Sequence, residues 1–235
     1  MKTITLGVLT ARVFTGFEPF AFYQGDELVG FDVDTIRAFA TQAKLELTLD
    51  PTDTFDGIWY RPAAGECDLA LAGIACFVER MRADVSWSDP YFQVLRSILI
   101  HREHEQELRH INDFQGRSIA FVRGSCADLD TRQRARADTR LVPVENQRTG
   151  MSLLDAKAVD GLAMGAPSNA YDRQFNPDYI LVDVHEFTQA EGFRFPVAAS
   201  NPLLLKAVNA FINTARENGQ IDTMMHRWID DRSVL

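Results

Sequence analysis

Three observations predict an α/β fold for this chain. Short apolar runs alternate along it with segments of helical period. One of those runs, Leu69 to Ile74, reads as a buried strand and breaks into a turn that sets Arg80 just beyond its carboxyl end. Near the end, Leu204, Val208, Phe211, Ile212 and Ala215 repeat at the spacing of one helix face.

The elements follow in order. Strands are expected at Ile4–Leu9, Leu45–Leu49, Leu69–Ile74, Ser97–Ile100, Ser118–Val122, Leu141–Val144, Gly161–Met164 and Ile180–Val182, each a short apolar or alternating run. Helices are expected at Val33–Gln42, Ala127–Arg136, Gly150–Ala156 and Leu203–Gly219. The last has Asn201 as N-cap, Pro202 in the first turn and Gly219 as its stop. With 235 residues there is material for one large domain or two small ones, each with its own core.

Composition excludes several classes of function. A formal charge of −9 argues against a nucleic-acid partner, because phosphate binding needs clustered Lys and Arg. The basic run from Arg132 to Arg140 is interrupted by Asp138 and reads as a solvated helix face. Cys67, Cys76 and Cys126 form neither an even disulfide set nor a CxxC spacing, and read as buried thiols. The five histidines show no ligand spacing, so no metal and no cofactor are expected. No run approaches the roughly 20 apolar residues of a membrane span. The first residues, Lys2 to Leu9, alternate like a strand rather than like an export signal.

Taken alone, Arg80 reads as a surface charge. Its setting argues otherwise, because α/β proteins bind small ligands outside the carboxyl ends of their strands. There a guanidinium offers a planar fork matched to a carboxylate. The surrounding motifs point the same way: Gly30-Phe31-Asp32-Val33-Asp34, Gly65-Glu66-Cys67-Asp68-Leu69, Ala72 to Arg80, and Ser86-Trp87-Ser88-Asp89-Pro90-Tyr91. Further on stand Asp113 to Arg117, Arg123 to Ala127, Leu154 to Asp160, Asn201-Pro202-Leu203-Leu204, and Gly219 to Trp228. In this order and spacing the chain resembles the family 3 solute-binding proteins, the amino-acid receptors of ABC importers, over nearly its whole length.

That resemblance implies a type II periplasmic-binding-protein-like fold with two discontinuous lobes. One lobe would hold residues 1–93 and 190–235, the other 94–189. Crossovers near Phe92–Leu95 and Thr188–Phe193 would form a two-strand hinge that lets the lobes close on a ligand. It also implies a ligand set of Phe17, Phe55, Gly73, Ala75 and Arg80 on the first lobe, with Ser125, Cys126 and Gly165 on the second. In that set Arg80 grips the carboxylate, Phe17 and Phe55 flank the ligand, and the helix start at Ser125 and Cys126 favours the same anion. Core packing is the ordinary reading of each phenylalanine, and an N-cap is that of Ser125.

Two departures from the family pattern stand out. Members that bind α-amino acids carry Ser or Thr where this chain has Ala75, and an aspartate where it has Gly165. The turn before the arginine is also altered, to Phe77-Val78-Glu79. An ammonium buried without an anionic partner is strongly disfavoured. The carboxylate grip is therefore kept while the amine grip is lost.

Two classes of function follow. The first is a monomeric periplasmic receptor that passes a small carboxylate-bearing solute to a membrane ABC permease; were the chain complete as written, it would be cytoplasmic. The second is an enzyme resembling the cyclohexadienyl dehydratases, which would need a pocket carboxyl of raised pKa, with Glu18 and Glu191 the nearest candidates. A nucleophile–base pair does not stand out, so the binder is the reading the residues favour.

Overall fold

The computed structural model describes residues 2–186 and 192–229. They form two compact units: residues 2–93 with 192–229, and residues 94–186. In chain order the first unit contains β1 (Val8–Phe14), β2 (Gly16–Phe17), β3 (Ala21–Gln24), β4 (Glu27–Val29), α1 (Phe31–Gln42), β5 (Glu46–Thr52), β6 (Leu69–Leu71), β7 (Val85–Trp87) and β8 (Phe92–Gln93). The second unit follows with β9 (Leu95–His101), β10 (Ser118–Val122), α2 (Cys126–Arg134), β11 (Arg140–Val144), α3 (Gln147–Asp155), β12 (Gly161–Gly165), α4 (Ala166–Arg173) and β13 (Tyr179–Glu186). The chain then returns to the first unit as β14 (Gly192–Phe193), β15 (Pro196–Ala198), α5 (Pro202–Glu217) and α6 (Gln220–Trp228).

The first unit is built on a five-stranded sheet of order β5-β1-β6-β15-β7, with β1 parallel to β5 and β6, and β15 antiparallel to β6 and β7. The second repeats the plan in the order β11-β10-β12-β9-β13. There β10 runs parallel to β11 and β12, while β9 is antiparallel to both β12 and β13. Two small sheets complete the first unit: β2-β3-β4, and the pair β8-β14, in which Phe92 faces Phe193 and Gln93 faces Gly192. Of the second expected crossover, residues 188–191 lie outside the described residues.

Sequence periodicity located most elements, and the differences have local causes. The first strand starts at Val8 rather than Ile4. Gly7 is left-handed (φ 79°), Thr5 bridges back to Val8, and Leu6 is 95% exposed. The strand expected over Leu69–Ile74 stops at Leu71, because Ala72 (φ 130°) and Gly73 (φ 61°) both turn left-handed. In α5, Leu204, Val208, Phe211, Ile212 and Ala215 are all buried, and the Asn201 side chain accepts a hydrogen bond from the Leu204 N–H. That helix ends at Glu217 with Asn218 as its C-cap. Gly219 (φ 75°) follows and opens α6. The basic run is not one helix face: α2 ends at Arg134, and Arg140 already begins β11.

Two carboxylates, Asp68 buried and Asp160 half-buried, fasten strands of the two units. Asp68 accepts the backbone N–H groups of Ile4 and Thr10 at 2.8 Å each, holding β6 in register with β1. In the second unit Asp160 accepts from the Ser118 N–H (2.8 Å) and hydroxyl (2.7 Å) and from Arg117 (3.1 Å), fixing the start of β12 beside that of β10. Partial burial works against its ionised form, yet these donors outweigh it and hold the carboxyl below its ordinary range. Asp160, five residues before Gly165, is thus a structural clamp.

Candidate functional site

In the first unit the site grows from the carboxyl end of β6. Asp32, in the first turn of α1, is fully buried and uses one oxygen three times. Its Oδ2 accepts from Ala72 N–H (3.0 Å), Gly73 N–H (2.7 Å) and the Tyr91 hydroxyl (2.8 Å). Those bonds hold the two left-handed residues in place. For Ala72 that is a strained conformation, of the kind surrounding structure must impose. Burial pushes the Asp32 carboxyl up to about 7, with the three hydrogen bonds countering only in part.

A pH dependence follows. The folded pKa of Asp32 lies above its ordinary 3.8, so the folded state binds more protons in between, and stability falls as pH rises from about 4 to about 7. Asp32→Asn keeps an acceptor for the turn and removes the titration. The other oxygen, Oδ1, has no hydrogen-bond partner among the described residues, so an amide NH2 there displaces no existing bond. Chemical denaturation at pH 5 and pH 8 is expected to show a smaller loss of stability with pH in this variant than in the wild type.

Gly73 brings Phe17 to the turn. A Cβ at Gly73 would lie 2.3 Å from Phe17 Cε1, so the ring rests on bare backbone. Phe17 also stacks on Phe20 at 5.2 Å and meets Phe193 edge-on at 6.2 Å. Ala75 pairs with Phe193 in an antiparallel bridge.

Arg80 lies beyond this turn, at the end of a 3-10 segment over Val78–Arg80. It is 2% exposed, which rules out the solvated surface charge a lone arginine suggests. Its Nη1 donates to the Ala75 carbonyl at 2.8 Å. The guanidinium carbon sits 3.8 Å from the Trp59 ring centroid and 4.1 Å from that of Phe77, with Phe55 at 5.4 Å. Phe55 in turn packs edge-on against Phe14 and Trp59. Aromatic faces attract the cation and, with the Ala75 carbonyl, hold its fork in one orientation. Phe17, Phe55, Gly73, Ala75 and Arg80 thus belong to one neighbourhood of the first unit. Trp59 and Phe77 were missed by sequence reasoning; the only signal was their position, one near Phe55 and the other three residues before Arg80.

The second unit holds the remaining three residues. Ser125 caps α2, its hydroxyl accepting from the Asp128 N–H at 3.3 Å, and Asp128 accepts in return from the Gly124 N–H at 2.8 Å. The N-cap reading of Ser125 is met by this geometry. Cys126 opens the helix and is buried. Gly165 ends β12 and caps α4 without a side chain, opposite Arg96 in the ladder with β9. A Cβ there would meet Arg96 Nη2 at 3.5 Å. Arg96, 3% exposed, is with Arg80 one of two buried arginines among the described residues, and no motif flagged it.

The acids considered for proton transfer lie elsewhere. Glu18 is partly buried, not exposed, and Glu191 lies outside the described residues. Asp32 has the raised pKa a general acid needs, but it is fully buried and tied to the Ala72–Gly73 turn and to Tyr91. Cys67, Cys76 and Cys126 are free thiols, with Cys76 partly exposed rather than buried. Among the described residues no group of three or more His, Cys, Asp or Glu is placed to hold a metal, and no helix is long and apolar enough to cross a membrane.

The first unit thus sets a buried arginine, held by aromatic rings and a backbone carbonyl, beyond the carboxyl end of β6. Comparison with known proteins gives the class: the model of the bacterial extracellular solute-binding proteins, family 3, matches residues 9–231, and the chain belongs to that family. Members of this family are in general extracellular or periplasmic. Among curated relatives, a probable histidine-binding protein of Campylobacter jejuni is 24% identical, covering 96% of this chain and 85% of its own. Among solved structures, an ancestral arginine-binding protein bound to arginine matches with TM-score 0.86 and 24% identity over 94% of this chain and 98% of its own. An ancestral amino-acid-binding protein described as a precursor of cyclohexadienyl dehydratase matches with TM-score 0.85 and 22% identity, over 95% and 96%. These likenesses place the fold among the two-lobed type II periplasmic amino-acid-binding proteins.

Proposed function

We propose that this protein is the periplasmic receptor of an ABC importer, working as a monomer and delivering a small carboxylate-bearing solute to a membrane permease. The observation that carries the reading is Arg80: a buried guanidinium stacked between Trp59 and Phe77 and braced by the Ala75 carbonyl. Arg80 receives the carboxylate and Phe17 and Phe55 flank the solute on the first unit, while the Ser125–Cys126 helix start gives the second unit N–H donors suited to an anion. The solute lacks a free α-amine, since Ala75 offers no hydroxyl and Gly165 no acid. Calorimetric titration with the twenty standard amino acids tests that last point. Weak or absent binding is expected, and micromolar affinity for any of them overturns it.

A second reading, a dehydratase on the same scaffold, is favoured by one observation, the likeness to the ancestral precursor of cyclohexadienyl dehydratase. It lacks an accessible carboxyl of raised pKa among the described residues. Incubation with prephenate separates the two readings, and the receptor leaves it unchanged.

A further inference from the structure

We propose that His185 is a proton-operated clasp that fastens the end of β13 to α2, changing its partner from Arg134 to Asp130 when it takes up a proton. All of its contacts lie within the second unit. The ring Nδ1 is 2.7 Å from the Asp183 carbonyl oxygen, which has no hydrogen to give, so Nδ1 carries the proton of the neutral ring. The other nitrogen, Nε2, is set between opposites. Arg134 Nη1, a donor, is 2.8 Å away, and Asp130 Oδ2, an acceptor, is 3.2 Å away. A neutral ring accepts from Arg134 and turns a lone pair toward the carboxylate, whereas a charged ring donates to Asp130 and gives up Arg134. Arg134 keeps partners in either state, Asp183 at 2.8 Å and Asp130 at 3.3 Å.

The strand is irregular where the clasp acts. Asp183 is left-handed (φ 51°), and the ladder with β9 shifts register between Val182 and His185. Past the shift, among the described residues, His185 and Glu186 alone continue the ladder, so side-chain ties to α2 weigh more there. Other charged groups surround the ring. Arg96 is its ladder partner on β9, Glu186 follows it, and His110 Nδ1 is 3.6 Å from the Asp183 carboxylate. Arg109, beside His110, accepts at its carbonyl from the Asp183 N–H at 3.1 Å. On α4, Arg173 lines a cleft with Ile180, Leu181 and Val182, before the shift, and Asp172 accepts from Gln147. Burial works against the charged ring, yet the Asp130 carboxylate and the Asp183 carbonyl outweigh it and raise the His185 pKa above its ordinary 6.5. The stabilisation is therefore complete below that ordinary value and is lost as pH rises through the folded one.

Ring nitrogen shifts of the histidines, followed by NMR from about pH 5 to about pH 9, test the clasp, with His185 identified by its loss in His185→Gln. The expected midpoint lies above 6.5, with Nδ1 protonated throughout and Nε2 alone changing state. Asp130→Asn is expected to lower the midpoint by about one pH unit or more, and Arg134→Gln to raise it, since one removes an anion and the other a cation beside the ring. Amides of Val184 to Glu186 are expected to lose hydrogen-exchange protection across the midpoint in the wild type and to keep it in His185→Gln. A midpoint at or below 6.5, a midpoint that Asp130→Asn leaves in place, or protection that does not follow the titration overturns the proposal. If the buried Asp130→Asn does not fold, Arg134→Gln, at a side chain 31% exposed, decides by the direction of its shift.

Discussion

Arg80→Ala is expected to weaken carboxylate binding by about 2–5 kcal/mol, the usual loss when one partner of a buried charged contact is truncated. The size follows from the environment. The guanidinium is 2% exposed and held between two aromatic faces, so an anion reaching it is paired away from water. Arg80→Lys is expected to recover only part of the loss, because a point charge replaces a two-pronged fork and cannot fill the flat slot between Trp59 and Phe77. Titration calorimetry of the three proteins with one carboxylate reads the order directly. An Arg80→Lys variant equal to the wild type would mean that charge alone matters there.

The largest effect on stability is expected at Gly30. It adopts φ 127°, and a Cβ there would lie 2.3 Å from the Phe20 carbonyl oxygen and 2.8 Å from that of Pro19. Both neighbours are backbone, so no side-chain rotation relieves the clash. The same carbonyls accept the first N–H groups of α1, Phe31 to Pro19 at 3.0 Å and Asp32 to Phe20 at 2.9 Å. Gly30→Ala must therefore push the segment before β3 off the helix, moving Phe17 and loosening Asp32 together. A loss above about 4 kcal/mol is expected, in the range reserved for severe backbone or core lesions. Urea denaturation with a midpoint near that of the wild type would contradict it.

The sequence made these two positions legible to different degrees. Arg80 was visible because an apolar run, a turn and a lone arginine fall in order, and the resemblance gave that order a meaning. Gly30 was visible only as part of a motif; the need for glycine appears once Pro19 and Phe20 are folded against α1. Long periodic segments such as α5 could be read almost to their ends, since one face is buried from Leu204 to Ala215, about three turns. The three-stranded sheet β2-β3-β4 could not, because strands of two to four residues are too short for periodicity to register. Arg96 escaped for another reason: it stands just before the strand expected at Ser97–Ile100, and β9 in fact starts at Leu95. Its ladder partner Gly165 is nearly seventy positions away, which spacing along the chain cannot reveal.

The central claim is that this fold holds its solute by a carboxylate on Arg80. Isothermal titration of ligand-stripped wild-type protein with matched carboxylic acids and their primary amides tests it most directly, since acid and amide share shape and differ in charge. Saturable one-to-one binding of an acid, absent for its amide and absent again when Arg80→Ala is titrated with the acid, is the predicted result. An amide that binds as tightly as its acid, or an Arg80→Ala protein that binds the acid like the wild type, would contradict it.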